Sequence, residues 1–489
     1  MAHRAHLPNS GLAYWMEQVL KQANKAAQGF AADPVHDLRV ALRRCRSMAE
    51  GIRAIDPDPS WKKMRKMGKL LFASLGTLRD CQVLMEWTEK LGTPDDPVVA
   101  ALLAYCRTHE RALKQQTEAA LQQFDRKQWQ SWARSLPRRA ARLRLGSEPF
   151  LSLALDRWTR ARRLHNRAVQ TGNPAAFHRL RIGLKKFRYV VENFLPQHHQ
   201  EWAEGLKRAQ DLLGEIHDLD VFWETALAAG VLASEEARER WQQRITAERV
   251  ARTEEYLRET SGTDSLWQIW RRGLPRGQQA RNAAFKKLEV WASFLDPDVR
   301  HSRRVARLAL QLHDGLARAG LLGQNHKRSR ELLQAAATVH EVGRSGGRKG
   351  HHKATQRLVQ EVERPFSWKR QDLDVIAYIA RYHRGALPGR SQDGLRSLPA
   401  TVQRTAQRLA GVLRLANAMD AQHAGTIRRI KVGRPGDYAV IYAEGLNNQT
   451  ALAERIAGAR HLLEFSCGIA ILVRPMPGRA KSLKKKDLT

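Results

Sequence analysis

The sequence predicts a mainly all-α protein, with a duplicated helical region followed by a second helical region that ends in a few strands. Three observations support this fold class. From about residue 12 to residue 257, apolar residues recur with a helical period and β-branched runs are few. One basic segment within this region occurs twice. Beyond residue 427, β-branched residues become frequent in short runs, which is typical of strands.

The repeated segment begins at His36 and again at His178. A shift of 142 residues also aligns Arg39, Arg43, Arg44 and Arg46 with Arg181, Lys185, Lys186 and Arg188. On a helix that turns by about 100° per residue, the histidine and the bases that follow it fall within an arc of roughly 80°. Leucines such as Leu38 and Leu180 lie on the opposite face. Each copy is therefore predicted to form an amphipathic helix with a cationic stripe.

A basic helix face can simply be a solvated one. Solvated faces usually carry acids four residues from the bases, because such pairs relieve the repulsion between like charges. The stripe lacks such acids in our reading, and the same spacing recurs in the second copy. Unrelieved like charge lowers stability, so we expect a polyanionic partner that neutralises it.

The duplication continues into a second basic helix in each half. The segment Leu75–Asp80 matches Leu213–Asp218, and Lys69 aligns with Lys207. The basic residues of the first copy here are Lys62, Lys63, Arg65, Lys66 and Lys69. Asp80 and Asp218 are expected either to orient basic neighbours through charge-assisted hydrogen bonds or to cap helices, and the sequence leaves both open. Because His217 stands where the first copy has Arg79, the charge at that position is predicted to depend on pH.

The composition agrees with a polyanionic ligand. The chain of 489 residues has 84 Lys and Arg against 49 Asp and Glu, a formal charge of +35. Nucleic acid, polyphosphate and an anionic membrane surface are the partner classes that this charge favours. The four cysteines are scattered and form no disulfide framework. Since we find neither an apolar run of 18 residues nor a secretory leader, we expect a cytoplasmic protein without a membrane partner.

The two-copy pattern resembles the CHAD domain, the conserved histidine α-helical domain, over roughly residues 8 to 260. The resemblance implies a pseudo-twofold helical bundle around a basic central surface, with inorganic polyphosphate as the ligand class. The positions that match the family pattern are His36, Arg39, Arg43, Arg44, Lys69, His178, Arg181, Lys185, Lys186 and Lys207. The predicted polyphosphate-binding set adds the other bases of the repeated helices, Arg46, Lys62, Lys63, Arg65, Lys66, Arg79, Arg188 and His217.

Polyphosphate as the ligand would place the protein at polyphosphate granules in the cytoplasm. Nucleic acid, bound without sequence specificity, is the alternative partner, because an arginine stripe alone does not distinguish the two phosphate chains. Aromatic residues are not interleaved with the basic motifs, which argues against single-stranded nucleic acid.

We divide the chain into four segments. Residues 8–265 form the basic helical domain, with repeats at about 8–145 and 150–265. Residues 266–284 are predicted to be a linker, because Arg271–Arg281 is rich in Gly, Pro and basic residues without an apolar period. Residues 285–475 form the second domain, and residues 476–489 a basic disordered tail.

The second domain carries, in order, His301, the pair His340–Glu341, and Asn417. This order resembles the HD superfamily of metal-dependent phosphohydrolases, and more closely the C-terminal helical domain of the exopolyphosphatase/guanosine pentaphosphate phosphatase family. The family pattern is a His, a His-Asp pair and a distant Asp, which together bind one or two divalent metals. Here Glu341 and Asn417 replace the two aspartates. Glu lengthens the arm by one methylene group, and Asn removes a charge.

We therefore predict an HD-like accessory domain without catalytic residues or a cofactor. If a metal does bind, its ligands are His301, His340 and Glu341, and Asp420 is an alternative acid one turn later. The active metal-dependent phosphohydrolase, acting on polyphosphate or phosphorylated nucleotides, remains an alternative. The other polar residues that we single out, for a structural or a phosphate-binding role, are His351, His352, Lys353, Arg381, His383 and Arg384.

Overall fold

A computed structural model describes residues 11–323, 326–347, 349–364, 368–388, 395, 398–447 and 450–477. The mainly α-helical fold class is confirmed. The chain divides into two compact units, Met1–Lys287 and Leu288–Thr489, and each is considered by itself. The basic residues of the predicted disordered tail, from Arg479 onward, lie outside the described residues.

The first unit is built from helices. Their bounds are α1 Leu12–Ala26, α2 Ala32–Arg53, α3 Pro59–Met67, α4 Lys69–Leu91, α5 Pro97–Gln122, α6 Arg126–Ala140, α7 Glu148–Thr171, α8 Pro174–Phe194, α9 Pro196–Ala228, α10 Glu235–Thr260 and α11 Leu266–Arg272. A further helix, α12 (Gly277–Ser293), contains the boundary between the two units.

The duplication is visible in how these helices pack. Helix α1 packs on α2 as α7 packs on α8, and α4 packs on α5 as α9 packs on α10. Equivalent helices of the two repeats also contact each other, α2 with α8 and α4 with α9. Equivalent helices of the two repeats therefore contact each other, as a pseudo-twofold arrangement requires.

Helices α2 and α8 carry the repeated motif, and their apolar faces form part of the core. Leu38, Leu42, Leu180, Leu184 and Phe187 are all fully buried, as the helical period predicts. In α8 the Asn173 side chain accepts a hydrogen bond from the backbone N–H of Ala175, and Pro174 is the first helical residue. Both are favoured at a helix start. The cationic face of each helix lies on the side away from these buried residues, and the two helices contact each other.

The segment 266–284 differs from the predicted linker, because it is largely helical. Trp267 and Trp270, three residues apart in α11, are both buried. Their rings pack on each other, and Trp270 packs on Phe187 of α8. The Arg271 guanidinium lies over the ring of Trp158 at 5.6 Å. Two tryptophans bury enough apolar surface to hold a helix of two turns, and Arg271 adds the flat face of its guanidinium to that packing.

The second unit is helical up to a small sheet. Its elements are α13 Val299–Arg318, α14 His326–Val339, a 3-10 turn Val342–Gly346, α15 His351–Glu361, α16 Arg370–Arg381, α17 Ala400–Met419, β1 Arg429–Gly433, β2 Tyr438–Glu444, α18 Thr450–Cys467 and β3 Ala470–Pro475. The strands lie in the order β1-β2-β3, with β1 antiparallel and β3 parallel to β2. The predicted terminal strands are confirmed. No helix in the described ranges is long and apolar enough to cross a bilayer.

Candidate functional site

Four cations from the two motif helices converge at the centre of the first unit. We call them the inner quartet: Arg39 and Arg43 of α2, and Arg181 and Lys185 of α8. Burial, together with the charges of Arg181 and Arg43, lowers the pKa of Lys185 to about 7. Burial also lowers the pKa of Arg39, which Asp80 opposes. The two copies therefore place their cations within electrostatic reach of one another.

The inner quartet has little internal neutralisation. The nearest carboxylate contact is between Arg39 and Asp80, at 3.8 Å. In residues 11–287, no carboxylate lies within 4 Å of the charged groups of Arg43, Arg181 or Lys185. The Arg43 Nε atom is buried and has no hydrogen-bond partner in the same residues. This surface thus keeps its charge open for an external anion.

The bases next to the quartet behave differently, because glutamates pair with them. Arg44 of α2 contacts Glu192 of α8 at 2.5 Å, and Lys186 of α8 contacts Glu50 of α2 at 3.3 Å. The shift of 142 residues aligns Arg44 with Lys186 and Glu50 with Glu192. The two pairs are therefore equivalent, and each crosses from one copy to the other.

These pairs correct the expectation of a stripe without acids. Glu192 lies four residues after Arg188 and 4.0 Å from it, which is the i,i+4 spacing that we had not found. Glu50, four residues after Arg46, contacts Arg65 of α3 at 3.0 Å. The sequence of one helix does not identify these ion pairs, because the main partners of the two glutamates are on the other copy or on a neighbouring helix.

Several other residues of the predicted ligand-binding set have partners within the domain or are exposed. Arg46 donates a hydrogen bond to the backbone oxygen of Arg65 at 2.6 Å, and its guanidinium lies over Phe72. Arg79 pairs with Glu86 at 3.0 Å. The exposed members of the predicted set are His36, Lys62, Lys63, Lys66, Lys69 and Lys207.

A histidine pair and an aspartate lie beside the quartet. The Nδ1 atoms of His178 and His217 are 3.3 Å apart. Burial, with Arg181 and His178, lowers the pKa of His217 to about 4, so its imidazole is neutral at pH 7 and the predicted charge switch does not operate there. Burial raises the pKa of Asp218 to about 6. Asp80 and Asp218 both lie within helices, which excludes the helix-cap alternative.

The second unit contains a cavity of about 830 Å³ whose wall holds a cluster of histidines around Glu341. The Nδ1–H of His340 donates to the backbone oxygen of Ala337 at 2.8 Å, and that of His383 donates to the oxygen of Ala380 at 2.6 Å. Both Nε2 atoms consequently carry lone pairs. Burial lowers the pKa of both histidines, that of His340 to about 3, so both rings are neutral.

The donor atoms of this cluster fit a divalent cation. The Glu341 carboxylate lies 3.4 Å from Nε2 of His351, 3.5 Å from that of His383 and 3.9 Å from that of His340. His340 Nε2 is buried and has no hydrogen-bond partner among the described residues. Lone pairs that converge on a carboxylate repel unless a cation lies between them. Imidazole fixed by a backbone carbonyl, together with a carboxylate, is a typical donor set for such an ion.

Two potential metal-binding triads share Glu341. One is His301, His340 and Glu341, the set that we had named as the ligands of any metal. The other is Glu341, His351 and His383, of which we had singled out the two histidines only for a structural or phosphate-binding role. Gly343 makes the second possible, because a side chain there would overlap the backbone at His351 and Thr355. Although the side chain of Glu341 is one methylene group longer than that of the aspartate in the family pattern, its carboxylate lies within the cluster.

Asp420 contacts the cluster through His301, on the ring nitrogen that faces away from Asn417. It accepts hydrogen bonds from Nδ1–H of His301 at 2.8 Å and from Nε–H of Arg304 at 2.9 Å. His301 Nε2 then faces the Asn417 amide at 3.1 Å. Asp420 thus orients His301 rather than replacing Asn417 as an acid of the cluster.

Comparison with known families agrees with both halves of this description. Residues 12–227 match the CHAD domain model, and residues 283–452 match the model of Ppx/GppA phosphatase, domain III. The chain joins a CHAD domain to a Ppx/GppA-type domain III. No curated protein matches the chain. The CHAD match contains both motif helices, and the domain III match contains every residue of the two histidine triads.

Other polar residues that we had singled out in domain III are less central. Lys353 and Arg384 are exposed, and the buried Arg381 lies over the ring of Tyr382. His352 packs edge-on against His351. Sequence reasoning did not identify Arg344, Arg414 and Arg455, which line the cavity with Arg384. They come from separate elements, so no spacing in the sequence relates them.

Proposed function

We propose that the CHAD domain binds inorganic polyphosphate at the inner quartet. The observation that supports this most strongly is the convergence of four cations from both motif copies, three of which have no paired carboxylate within residues 11–287. Holding like charges together costs free energy, which a bound polyanion would offset. Arginine forks donate paired hydrogen bonds to phosphate oxygens, and each contact releases a condensed counterion.

The aromatic residues near the quartet favour a phosphate chain without bases. Phe72 lies under the guanidinium groups of Arg39 and Arg46, and Tyr189 lies under that of Arg43. Trp15 is covered in the same way by Arg44. Nonspecific single-strand binders need open rings on which bases stack. These rings are already engaged, so nucleic acid is the weaker candidate. Association with polyphosphate granules would follow from this function.

The test compares the wild-type protein, a variant with the inner quartet changed to Ala, and a charge-matched control. Arg107, Arg111, Arg134 and Arg138 are exposed on α5 and α6 and serve as that control when changed to Ala. Competition between long-chain polyphosphate and duplex DNA is measured at matched phosphate concentration, at about 50 and 200 mM salt. We expect the quartet variant to lose at least about 100-fold in polyphosphate affinity, because charged hydrogen bonds contribute about 1.5–3 kcal/mol each.

The helical circular-dichroism signal must stay unchanged in the quartet variant. If the signal is lost, a second variant with Gln at the same four positions keeps the side-chain stems and repeats the measurement. Equal losses in the quartet and control variants would contradict a specific site. Stronger binding of DNA than of polyphosphate by the wild-type protein would reject polyphosphate as the ligand.

In this proposal domain III is an accessory domain without catalysis, but the histidine cluster favours a second candidate function. That candidate is metal-dependent hydrolysis of polyphosphate or a phosphorylated nucleotide. A divalent cation in the cluster would supply Lewis acidity towards a phosphoryl oxygen. The imidazoles and Glu341 would hold the ion, and Asp420 would keep His301 oriented. Four arginines lining the cavity suit an anionic substrate.

Release of inorganic phosphate from polyphosphate and from nucleoside polyphosphates tests this candidate, with Mg²⁺, Mn²⁺, Fe²⁺ or Zn²⁺ added separately. If domain III hydrolyses such substrates, the wild-type protein releases phosphate and the Glu341→Gln variant releases none above background. The exposed His461, changed to Ala, is the control for a distant histidine. Absence of release with all four ions, or equal release by the Glu341→Gln variant, would leave domain III as the accessory domain.

A further inference from the structure

The two glutamates that cross between the motif copies are poorly explained by stability alone. Glu192 contacts both Arg44 and Arg188, and its side chain is only 10 % exposed. Glu50 contacts both Lys186 and Arg65 and is 27 % exposed. Burial acts to raise the pKa of Glu50, but Lys186 and Arg65 outweigh it, and the pKa lies below its usual value. Glu50 is therefore charged at neutral pH, and both glutamates lie among the bases of the repeated helices.

The network divides the basic residues into two tiers. The inner quartet is open, whereas four outer cations share two glutamates. We call Arg44, Arg65, Lys186 and Arg188 the outer cations. A polyanion at the inner quartet meets these cations only if it competes with the glutamates, and it also meets the repulsion of their carboxylates.

We propose that Glu50 and Glu192 are specificity-determining residues that mask the outer cations and so favour a flexible phosphate chain over nucleic acid. This inference rests on the proposed polyphosphate-binding function. A single flexible chain carries all its charges in one line, so several phosphates can reach the inner quartet and the outer cations and displace both glutamates. A duplex spreads its phosphates over two strands of a stiff helix, so few of them reach these cations. The repulsion from the glutamates is then compensated for the chain and not for the duplex.

The equivalence of the two pairs strengthens the argument. An ion pair that only held α2 against α8 would need one contact, and the apolar faces of both helices are already buried in the core. Instead, a glutamate and a base occur at equivalent positions in both copies and meet reciprocally. Masking both sides of the pseudo-twofold axis requires this symmetry. Specificity obtained by penalising the wrong partner is common in charged interfaces.

The test replaces both acids in Glu50→Gln/Glu192→Gln and uses Glu110→Gln/Glu248→Gln as the control. The control removes the same charge from pairs on α5 and α10. Affinities for long-chain polyphosphate and duplex DNA are measured over a series of salt concentrations. We expect DNA affinity to rise about tenfold and polyphosphate affinity less than about threefold, so the selectivity of the protein falls. Unmasking of about two more phosphate contacts should steepen the salt dependence for DNA by about two, since each contact contributes about 0.9 to the slope.

Each alternative outcome has its own signature. An unchanged ratio of the two affinities would overturn the inference, and so would an equal gain in the control. If the glutamates only hold the helices together, both affinities will fall, the salt slopes will stay the same and the melting temperature will drop. If the wild-type protein does not prefer polyphosphate to DNA, the proposed function fails and this inference fails with it. A preference in the wild type that survives in the double variant removes this inference alone.

Discussion

The inner quartet of the CHAD domain and the histidine cluster of domain III are both built from a few residue types. They differ in the partners that their polar groups have. In the inner quartet, three of four cations have no paired carboxylate among the described residues, and burial with Arg181 lowers the pKa of Lys185 to about 7. In the cluster, backbone carbonyls fix the rings of His340 and His383, and their free nitrogens point at Glu341.

The difference indicates two kinds of recognition. The quartet offers charge in quantity, with long flexible side chains, and suits a ligand that presents many similar anionic groups. The cluster offers a few lone pairs in fixed directions, and suits one small ion with defined ligand geometry. A net charge of +35 explains the first site and says nothing about the second.

The largest expected effect separates the two sites. His340→Ala should lower the affinity for divalent metal by more than about 100-fold, since even outer-shell changes at metal sites cost about 10–100-fold. Polyphosphate affinity should change less than about twofold. Elemental analysis after dialysis against Mn²⁺ or Zn²⁺, together with metal titration, measures the first, and competition binding measures the second.

His461→Ala, at an exposed position on α18, is the matched control and should retain metal. Retention of metal by the His340→Ala variant would mean that the lone pairs are not its ligands. A parallel loss of polyphosphate binding would mean that the two sites are not independent, and the contrast drawn between them would fail.

A smaller effect concerns pH and belongs to the quartet. In the protein without ligand, Lys185 is about half protonated near pH 7, and a bound phosphate chain favours its charged form. Polyphosphate affinity should therefore fall about tenfold between pH 6 and pH 8, at constant ionic strength. Asp218, with a pKa of about 6, becomes negative over the lower part of this range and weakens binding in the same direction. His217 stays neutral throughout.

Lys185→Arg supplies the control for this pH dependence, because the guanidinium keeps its charge across the range. Its affinity should vary only by the smaller contribution of Asp218. If the wild type and the Arg variant show the same pH profile, Lys185 is not the group that titrates on binding.

The smallest effect is on stability. The pKa of Lys185 is lower in the folded protein than its usual value of 10.5, so the unfolded chain binds more protons between pH 7 and pH 10.5. Stability of the wild type should rise with pH in that range. Lys185→Met removes the charge and should raise the melting temperature by about 1–4 °C at pH 6, with a smaller gain at pH 9. Thermal unfolding followed by circular dichroism at both pH values measures this. A lower melting temperature at pH 6 would show that Lys185 stabilises the fold, and the quartet would no longer be a strained, open site.

Much of the fold was predictable because it follows from local patterns. The helical period placed Leu38, Leu42, Leu180 and Leu184 in the core, and β-branched runs marked the terminal strands. The segment 266–284 was not predictable in this way, because two tryptophans three residues apart give too short a period to recognise beside Gly, Pro and Arg. Their burial depends on partners such as Phe187, far away in the sequence.

The sequence by itself determined the duplication, the two cationic stripes and the order His301, His340–Glu341, because each of these is written in residue types and spacings along the chain. The tertiary structure alone decided which cations remain open. Glu50 meets Lys186, and Glu192 meets Arg44, only because α2 packs against α8. It also decided that His351 and His383 join Glu341. Periodicity shows which side of a helix a residue occupies, but ion pairs and metal ligands are set by distances of a few ångströms between helices that the chain brings together from far apart.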